Sequence, residues 1–188
     1  MAVYKGENVL KITVYCGSSA GNDEIYMSKA YELGSWIAKS GHELVFGASN
    51  TGLMGAVANG ALECGGKVIG VVPDVPAIKA RMHKGLTDYI FSEDMSARKK
   101  KMLDLGDAFI ALPGGIGTLD EISEAICLSQ LRIHTKPCVF YNINGYYDPI
   151  YQCFEKMEDS GFAHLEGNGR VLFSDNLEEI GEYITAVE

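Results

Sequence analysis

The segment 112–121, LPGGIGTLDE, places three glycines within four positions, ahead of a threonine and two adjacent carboxylates. Glycine lets a ligand approach backbone N–H groups closely and permits a turn with positive φ. A helix that begins near Thr118 would direct its unpaired N–H groups and its positive dipole end at the same point. The segment therefore predicts an anion site suited to a phosphate.

Glu121, in the same segment, has two interpretations. Thr118 and Glu121 have the spacing of a capping box, in which the threonine caps the helix and the glutamate bonds back to the backbone. A carboxylate one helical turn beyond an anion site could instead stabilise positive charge on a ligand or activate a water molecule. The local sequence leaves both interpretations open.

Arg98 is a cation on an otherwise apolar helix face. In EDMSARKKKML, residues 93–103, the spacing puts Met95, Arg98 and Met102 on one face of a predicted helix. The guanidinium could extend to the surface, as long cationic side chains often do. It could equally reach a ligand, since its fixed fork of donors suits a phosphate or a ribose.

Other glycine and serine motifs are incomplete. A dinucleotide fingerprint would need glycine at the position of Asp120, and the P-loop pattern of ATPases does not occur. GSSAG, residues 17–21, matches a nucleophile elbow with Ser19 as nucleophile, but it follows the first predicted strand, so a serine hydrolase is weakly supported. We interpret this loop as further phosphate donors, contributed by Gly17 and Ser18.

The elements that would position these residues alternate between strand and helix patterns. Continuous apolar runs predict buried strands at 11–16, 43–47, 67–72, 88–92, 107–113 and 136–142. Helical patterns predict helices at 23–40, 52–64, 94–105, 118–131, 146–159 and 176–186. This order predicts an α/β fold, a Rossmann-like doubly wound parallel sheet flanked by helices, as a single domain over 1–188 with a tail at 1–9.

Ligands of such sheets bind at the carboxyl ends of the strands, where the strand order reverses. The loops at 16–21, 47–55, 71–76 and 112–118 are rich in Gly, Ser or Pro, which favours a site among them. The long segment 73–87 could be a flap over that site or a plain surface loop.

Composition excludes several classes of protein. The chain has 188 residues and a net charge of -9, which disfavours nucleic acid as a partner. Its five cysteines and four histidines lack metal-ligand spacing, so no metal site is predicted, and we interpret the cysteines as reduced thiols of a cytoplasmic protein. No signal peptide or membrane span is expected.

The joint pattern of VYCGSSAG, GLMGAVANGAL, GGKVIGVVP, MSARK and DAFIALPGGIGTLDE, followed by SQLRIHTKPCVFYNINGYYDP, resembles the Lonely Guy family over residues 10–165. These proteins are cytokinin riboside 5′-monophosphate phosphoribohydrolases, often labelled lysine decarboxylases. The resemblance implies hydrolysis of the N-glycosidic bond of a purine nucleoside 5′-monophosphate, such as AMP, by a homodimer that needs no cofactor. It implies that Arg98 and Glu121 are the catalytic pair. The substrate-binding positions it implies are Gly114, Gly115, Ile116, Gly117, Thr118, Lys99 and Cys127.

Three positions depart from the family pattern. A second glycine loop reads Gly47-Ala48-Ser49, a glutamate expected about 18 residues before the arginine is Ala80, and Cys127 replaces a threonine. These changes affect the contacts to base and ribose. They keep a second hypothesis open, a nucleotide or pterin-cofactor carrier on the same fold that binds without turnover.

Overall fold

The computed structural model describes residues 9–163 and 171–186. Most of the predicted tail, and His164, lie outside the described residues. The strands are β1 (Lys11–Tyr15), β2 (Glu43–Phe46), β3 (Val68–Pro73), β4 (Asp88–Ser92), β5 (Ala108–Ala111), β6 (Cys138–Tyr141) and β7 (Val171–Ser174). They form one parallel sheet in the order β4-β3-β2-β1-β5-β6-β7, which confirms the α/β prediction.

Helices cover both faces of this sheet. They are α1 (Glu24–Lys39), α2 (Gly52–Glu63), α3 (Pro76–Lys79), α4 (Met95–Leu105), α5 (Ile116–Gln130), α6 (Asp148–Asp159) and α7 (Leu177–Thr185). Alternate side chains of β1 face opposite ways, so Ile12 and Val14 join the core under α1, α2 and α7. Tyr15 joins the second core, under α4, α5 and α6. In the described part of the chain, no helix is long and apolar enough to cross a membrane.

The strand order reverses between β1 and β5. The chain runs outward from β1 through β4 and then returns to pair β5 with the other side of β1. The loops that follow β1 and β5 therefore meet, and Gly17 N donates to Pro113 O at 3.1 Å. The two glycine-rich loops from the sequence lie side by side at this point.

Three elements differ from the sequence expectation. Helix α5 begins at Ile116 rather than near Thr118, because Gly115 is its N-cap. Strand β7 was not predicted, because its apolar run is only four residues long and is followed at once by Asn176, the N-cap of α7. The segment 73–87 contains the short helix α3.

The segment 73–87 is anchored to the loop after β2. His83 N donates to Ala48 O at 2.8 Å, and Asn50 N donates to Arg81 O at 2.8 Å. These bonds form a short antiparallel bridge between Ser49 and Met82. The segment therefore buttresses the loop after β2 in this structure.

Candidate active site

Two neighbouring cavities open at the reversal point of the sheet. The smaller has a volume of about 260 Å³, and Arg98, Lys99, Thr118 and Glu121 contribute to its wall. The larger has a volume of about 470 Å³ and lies between the loop after β1, Tyr26 and Tyr146. Gly17, Ser18 and Gly115 line both, so the cavities adjoin along the two glycine loops.

Arg98 reaches inward from α4. The Asp94 side chain caps this helix by accepting from Ala97 N at 2.7 Å, which sets where the helix starts and which residues face the sheet. The Arg98 side chain is only 7% exposed, and its Nε donates to Val71 O at 3.3 Å. Of the two possibilities left open by the sequence, the structure places the guanidinium in the cavity wall rather than at the surface.

Glu121 pairs with Arg98 in the wall of the smaller cavity. Arg98 Nη1 lies 3.5 Å from Glu121 Oε1, and the glutamate side chain is 9% exposed. Burial raises the pKa of Glu121, the Arg98 charge partly opposes this, and the neighbouring Asp120 charge adds to the increase. The result is a carboxylate that burial destabilises, that the charges of Arg98 and, to a smaller extent, Lys99 stabilise, and that lines a cavity.

The capping-box interpretation of Glu121 is wrong. Gly115 occupies the N-cap position of α5, and no side chain caps this helix end. Thr118 lies inside the first turn, where it is 4% exposed. The N–H groups of Ile116 and Gly117, at the first two helical positions, have no partner within the helix and are available to an anion.

The three glycines of the loop leave space that a side chain would fill. They do not adopt positive φ, which the sequence analysis had considered. None of them is among the residues with positive φ. A Cβ on Gly114 would lie 2.2 Å from Thr118 Oγ1, so this glycine permits close packing of the loop. Gly115 and Gly117 have nothing within 4 Å of an added Cβ. The fold therefore has room for a side chain at these two positions. A ligand that approaches the backbone closely would need the space that glycine leaves open.

Two tyrosines that the sequence analysis did not single out hold the loop after β5 by hydrogen bonds, and one of them, Tyr146, also lines the larger cavity. Tyr146 OH donates to Gly114 O at 2.6 Å, and Tyr147 OH donates to Leu112 O at 2.7 Å. They follow β6, far along the chain, so only their adjacency in YNINGYYDP could have drawn attention to them. The loop after β1 is also held in place, since Thr51 Oγ1 donates to Ser18 O at 2.9 Å.

Lys99 and Cys127 differ in how far they reach the cavities. Lys99 lines the smaller cavity, but its Nζ contacts Asp120 at 2.9 Å and Glu124 at 3.0 Å, and these bonds raise the pKa of the amine. Cys127 is exposed on α5 and lines neither cavity.

The loop after β2 leaves room for the Arg98 side chain. A Cβ on Gly47 would lie 1.9 Å from Arg98 Nη2, so the guanidinium occupies the space that a side chain would fill. Ala48 has a φ of 64°, in the left-handed region that favours glycine. The departure from a glycine triplet is thus accommodated at Ala48 with backbone strain, while Gly47 keeps its role beside the arginine.

Fold and site together define a class of protein. A doubly wound sheet whose reversal point carries open glycines and a helix start without a side-chain cap is an arrangement that suits a small anionic ligand. A buried arginine and carboxylate beside that anion site add the means for acid–base or electrostatic catalysis. Among the described residues, no group of three His, Cys, Asp or Glu side chains could hold a metal ion.

Comparison with known proteins identifies the family. The sequence model of a family described as "Possible lysine decarboxylase" matches residues 54–184. The chain is 43% identical over 168 residues to a cytokinin riboside 5′-monophosphate phosphoribohydrolase of Rhodococcoides fascians, covering 89% of this chain and 85% of that protein. It is 41% identical over 175 residues to one from Arabidopsis thaliana, covering 90% of this chain and 80% of that protein. The chain therefore belongs to the Lonely Guy family.

Solved structures agree on the fold. The molybdenum cofactor binding protein of Rippkaea orientalis superposes with a TM-score of 0.72 at 23% identity, covering 96% of this chain and 98% of that one. A molybdenum cofactor carrier protein of Chlamydomonas reinhardtii gives 0.72 at 24% identity, covering 96% of this chain and 100% of that one. At these identities the likeness concerns the architecture alone.

Proposed function

We propose that this chain hydrolyses the N-glycosidic bond of a purine nucleoside 5′-monophosphate, releasing the free base and ribose 5-phosphate. The observation that carries the proposal is the contact between Arg98 and Glu121, 3.5 Å apart, in a cavity that also contains the uncapped start of α5. An anion site and a carboxylate one turn apart match a phosphate and the sugar attached to it.

The chemistry follows from this arrangement. The bond between C1′ and the base nitrogen breaks, the electron pair leaves with the base, and positive charge develops on the ribose. The carboxylate of Glu121 stabilises that charge and takes a proton from the water that adds to C1′. The departing base takes up one proton and Glu121 gives up the one that it accepted, directly or through solvent, so that one water is consumed and one C–O and one N–H bond are formed. Arg98 orients Glu121 and can also contact the substrate.

The substrate is a purine monophosphate of the AMP type, with or without an N6 substituent. The names of the curated relatives point to cytokinin riboside 5′-monophosphates. We infer the phosphate requirement from the N–H groups of Ile116 and Gly117, which have no partner within α5 and suit a phosphate. We propose that Gly17, Ser18, Gly114, Gly115 and Thr118 complete the phosphate contacts, with Lys99 at the rim of the cavity. Cys127 lines neither cavity and is not among the proposed contacts.

Amino-acid decarboxylation fits these residues poorly. A lysine that forms a Schiff base with a cofactor or substrate needs a lowered pKa. Lys99 lines the smaller cavity, but its bonds to Asp120 and Glu124 raise the pKa of its amine. The description "Possible lysine decarboxylase" is therefore not supported by the chemistry of Lys99 in this site.

The test of the proposal compares AMP, isopentenyl-AMP and adenosine as substrates of the purified protein, with free base measured by chromatography. We expect base from the two monophosphates, and a loss of at least about a hundredfold in kcat/KM for adenosine, because the phosphate contacts are missing. A carrier on this fold would instead retain nucleotide and release no base. That outcome would replace the enzyme with the carrier.

We further propose a homodimer in the cytoplasm. Dimerisation comes from the family resemblance, and a monomeric mass by light scattering would refute it. The cytoplasmic location is supported by the free thiols of all five cysteines, which suit a reducing compartment. Cell fractionation with an antibody to the protein would check the location.

A further inference from the structure

Three consecutive carbonyl groups of the loop after β5 are held by hydrogen bonds from other elements. Leu112 O accepts from Tyr147 OH at 2.7 Å, Pro113 O accepts from Gly17 N at 3.1 Å, and Gly114 O accepts from Tyr146 OH at 2.6 Å. A carbonyl that is held in one direction fixes its whole peptide plane. Each of three consecutive peptide planes in the loop is therefore fixed by its own hydrogen bond.

The consequence differs between the two tyrosines. In a trans peptide the N–H points opposite to the C=O, so the bond from Tyr146 to Gly114 O directs the N–H of Gly115 the other way. The peptide held by Tyr147 joins Leu112 to Pro113, and proline has no N–H to direct. Of the two tyrosine bonds, only the one from Tyr146 can aim a backbone donor at a ligand.

Gly115 is the residue whose N–H matters for the site. It lines both cavities, and it is the N-cap immediately before the free N–H groups of α5. Its added Cβ would meet nothing within 4 Å, so the backbone there is open to a ligand. A rotated Gly114–Gly115 peptide would turn the N–H away and present a carbonyl oxygen to the anion, which repels it.

Tyr146 is itself held at the right place. Tyr147 N donates to the Asn142 side chain at 2.7 Å, which fixes the turn that carries both tyrosines. The ring of Tyr146 packs edge-on against Tyr147 at 5.0 Å and against Tyr26 at 5.9 Å. The hydroxyl therefore reaches Gly114 O from a restrained ring.

We propose that Tyr146 is a positioning residue for phosphate recognition, which holds the Gly114–Gly115 peptide with its N–H facing the anion. Its importance for the KM of the nucleotide rests on the proposed function. The positioning role itself concerns only the binding of a phosphate group, so it can be measured without turnover.

The experiment measures ribose 5-phosphate binding by calorimetry for the wild type, Tyr146→Phe and Tyr147→Phe. We expect Tyr146→Phe to weaken binding about tenfold, with a melting temperature close to wild type because the residue is 41% exposed. With a nucleotide substrate, KM should rise and kcat should change little. Tyr147→Phe should lower the melting temperature, because its hydroxyl is buried, and keep the affinity within about twofold.

The outcomes separate the two proposals. Unchanged affinity in Tyr146→Phe, equal weakening in both variants, or a wild type that binds no ribose 5-phosphate would overturn the positioning role. A wild type that binds ribose 5-phosphate but cleaves no nucleotide would refute the proposed function, and the affinities would still decide the role of Tyr146. If Tyr147→Phe does not fold, Tyr31→Phe is the control, because it removes a hydroxyl bonded to Glu63 at 2.6 Å, away from the site.

Discussion

Glu121 is stabilised as a carboxylate by few neighbours, and its charge state is set by the balance among them. Burial and the charge of Asp120 raise the pKa of Glu121, and Arg98 lowers it. The proposed chemistry needs the ionised form. The rate should therefore fall as the pH falls through a pKa that lies above that of an ordinary glutamate.

Asp120→Asn tests this balance at the level of one residue. Removing the Asp120 charge takes away an influence that raises the pKa of Glu121, so the acid limb of kcat/KM should move to lower pH. Profiles of kcat/KM against pH measure the shift. Asp104→Asn is the control, since Asp104 pairs with Lys100 at 2.7 Å on the exposed side of α4 and should leave the limb in place. A limb that moves upward in Asp120→Asn would contradict the assignment to Glu121.

At the scale of elements, the loop after β2 and helix α4 are in close contact, because the Arg98 guanidinium fills the space beside Gly47 that a side chain would occupy. Gly47→Ala should displace the Arg98 guanidinium, because the new Cβ would lie 1.9 Å from Nη2. The arginine end is flexible, so we expect a folded protein with kcat reduced about 10- to 100-fold, as for a misplaced catalytic group. Activity and thermal melting of the variant measure this. Gly85→Ala is the matched control, since its added Cβ makes an ordinary 3.5 Å contact with His83. Equal activity in both variants would refute the idea that Gly47 makes room for Arg98.

The start of α5 gives a second prediction at this scale. Gly117→Ala should raise the free energy of unfolding by up to about 1 kcal/mol, because alanine favours a helix and its Cβ meets nothing within 4 Å. Because Gly117 lines the smaller cavity, the added methyl group should compete with the ligand for space, and inhibition by ribose 5-phosphate should weaken at least about tenfold. Denaturant unfolding and inhibition kinetics provide the two measurements. Gly114→Ala should behave oppositely in stability, since its Cβ would collide with Thr118. A Gly117→Ala variant with unchanged inhibition would show that the phosphate lies elsewhere.

The elements were predictable from sequence where the pattern was continuous. The six predicted strands lie within a residue or two of their observed bounds. Five of them are buried as their continuous apolar runs predicted, whereas the expected burial of β4 is wrong, because this strand lies at the edge of the sheet and is largely exposed or half-buried. The start of α5 was misplaced because Gly115 caps the helix with its backbone alone, which leaves no side-chain signal. The anchoring of 73–87 was unpredictable because it depends on backbone hydrogen bonds between loops, which residue types do not encode.

The whole molecule explains why the site could be found only in part. Arg98 and Glu121 are more than 20 positions apart, and only the sheet order that brings α4 and α5 to the same edge makes them neighbours. Their pairing was available beforehand from the family resemblance and not from local physics. Tyr146 was invisible for a related reason, since its function depends on one carbonyl of a distant loop.

The net charge of -9 means that an anionic substrate must be held by donors close to the site. An overall negative field repels a nucleotide monophosphate, and the backbone donors at the start of α5 together with Arg98 must outweigh that repulsion over a short distance. The ligand-facing groups are therefore few and closely spaced. This arrangement makes the loss of any one of them measurable.

The most direct measurement of the central claim is a product balance for AMP with the wild type and with Glu121→Gln. The wild type should release one adenine and one ribose 5-phosphate per AMP consumed, with no adenosine and no inorganic phosphate. Glu121→Gln should lose about 100- to 10,000-fold in kcat while it still binds ribose 5-phosphate. Glu124→Gln, a control at a half-exposed carboxylate bonded to Lys99, should keep near-normal rates. Adenosine and phosphate as the products, or a Glu121→Gln variant as fast as wild type, would contradict the account.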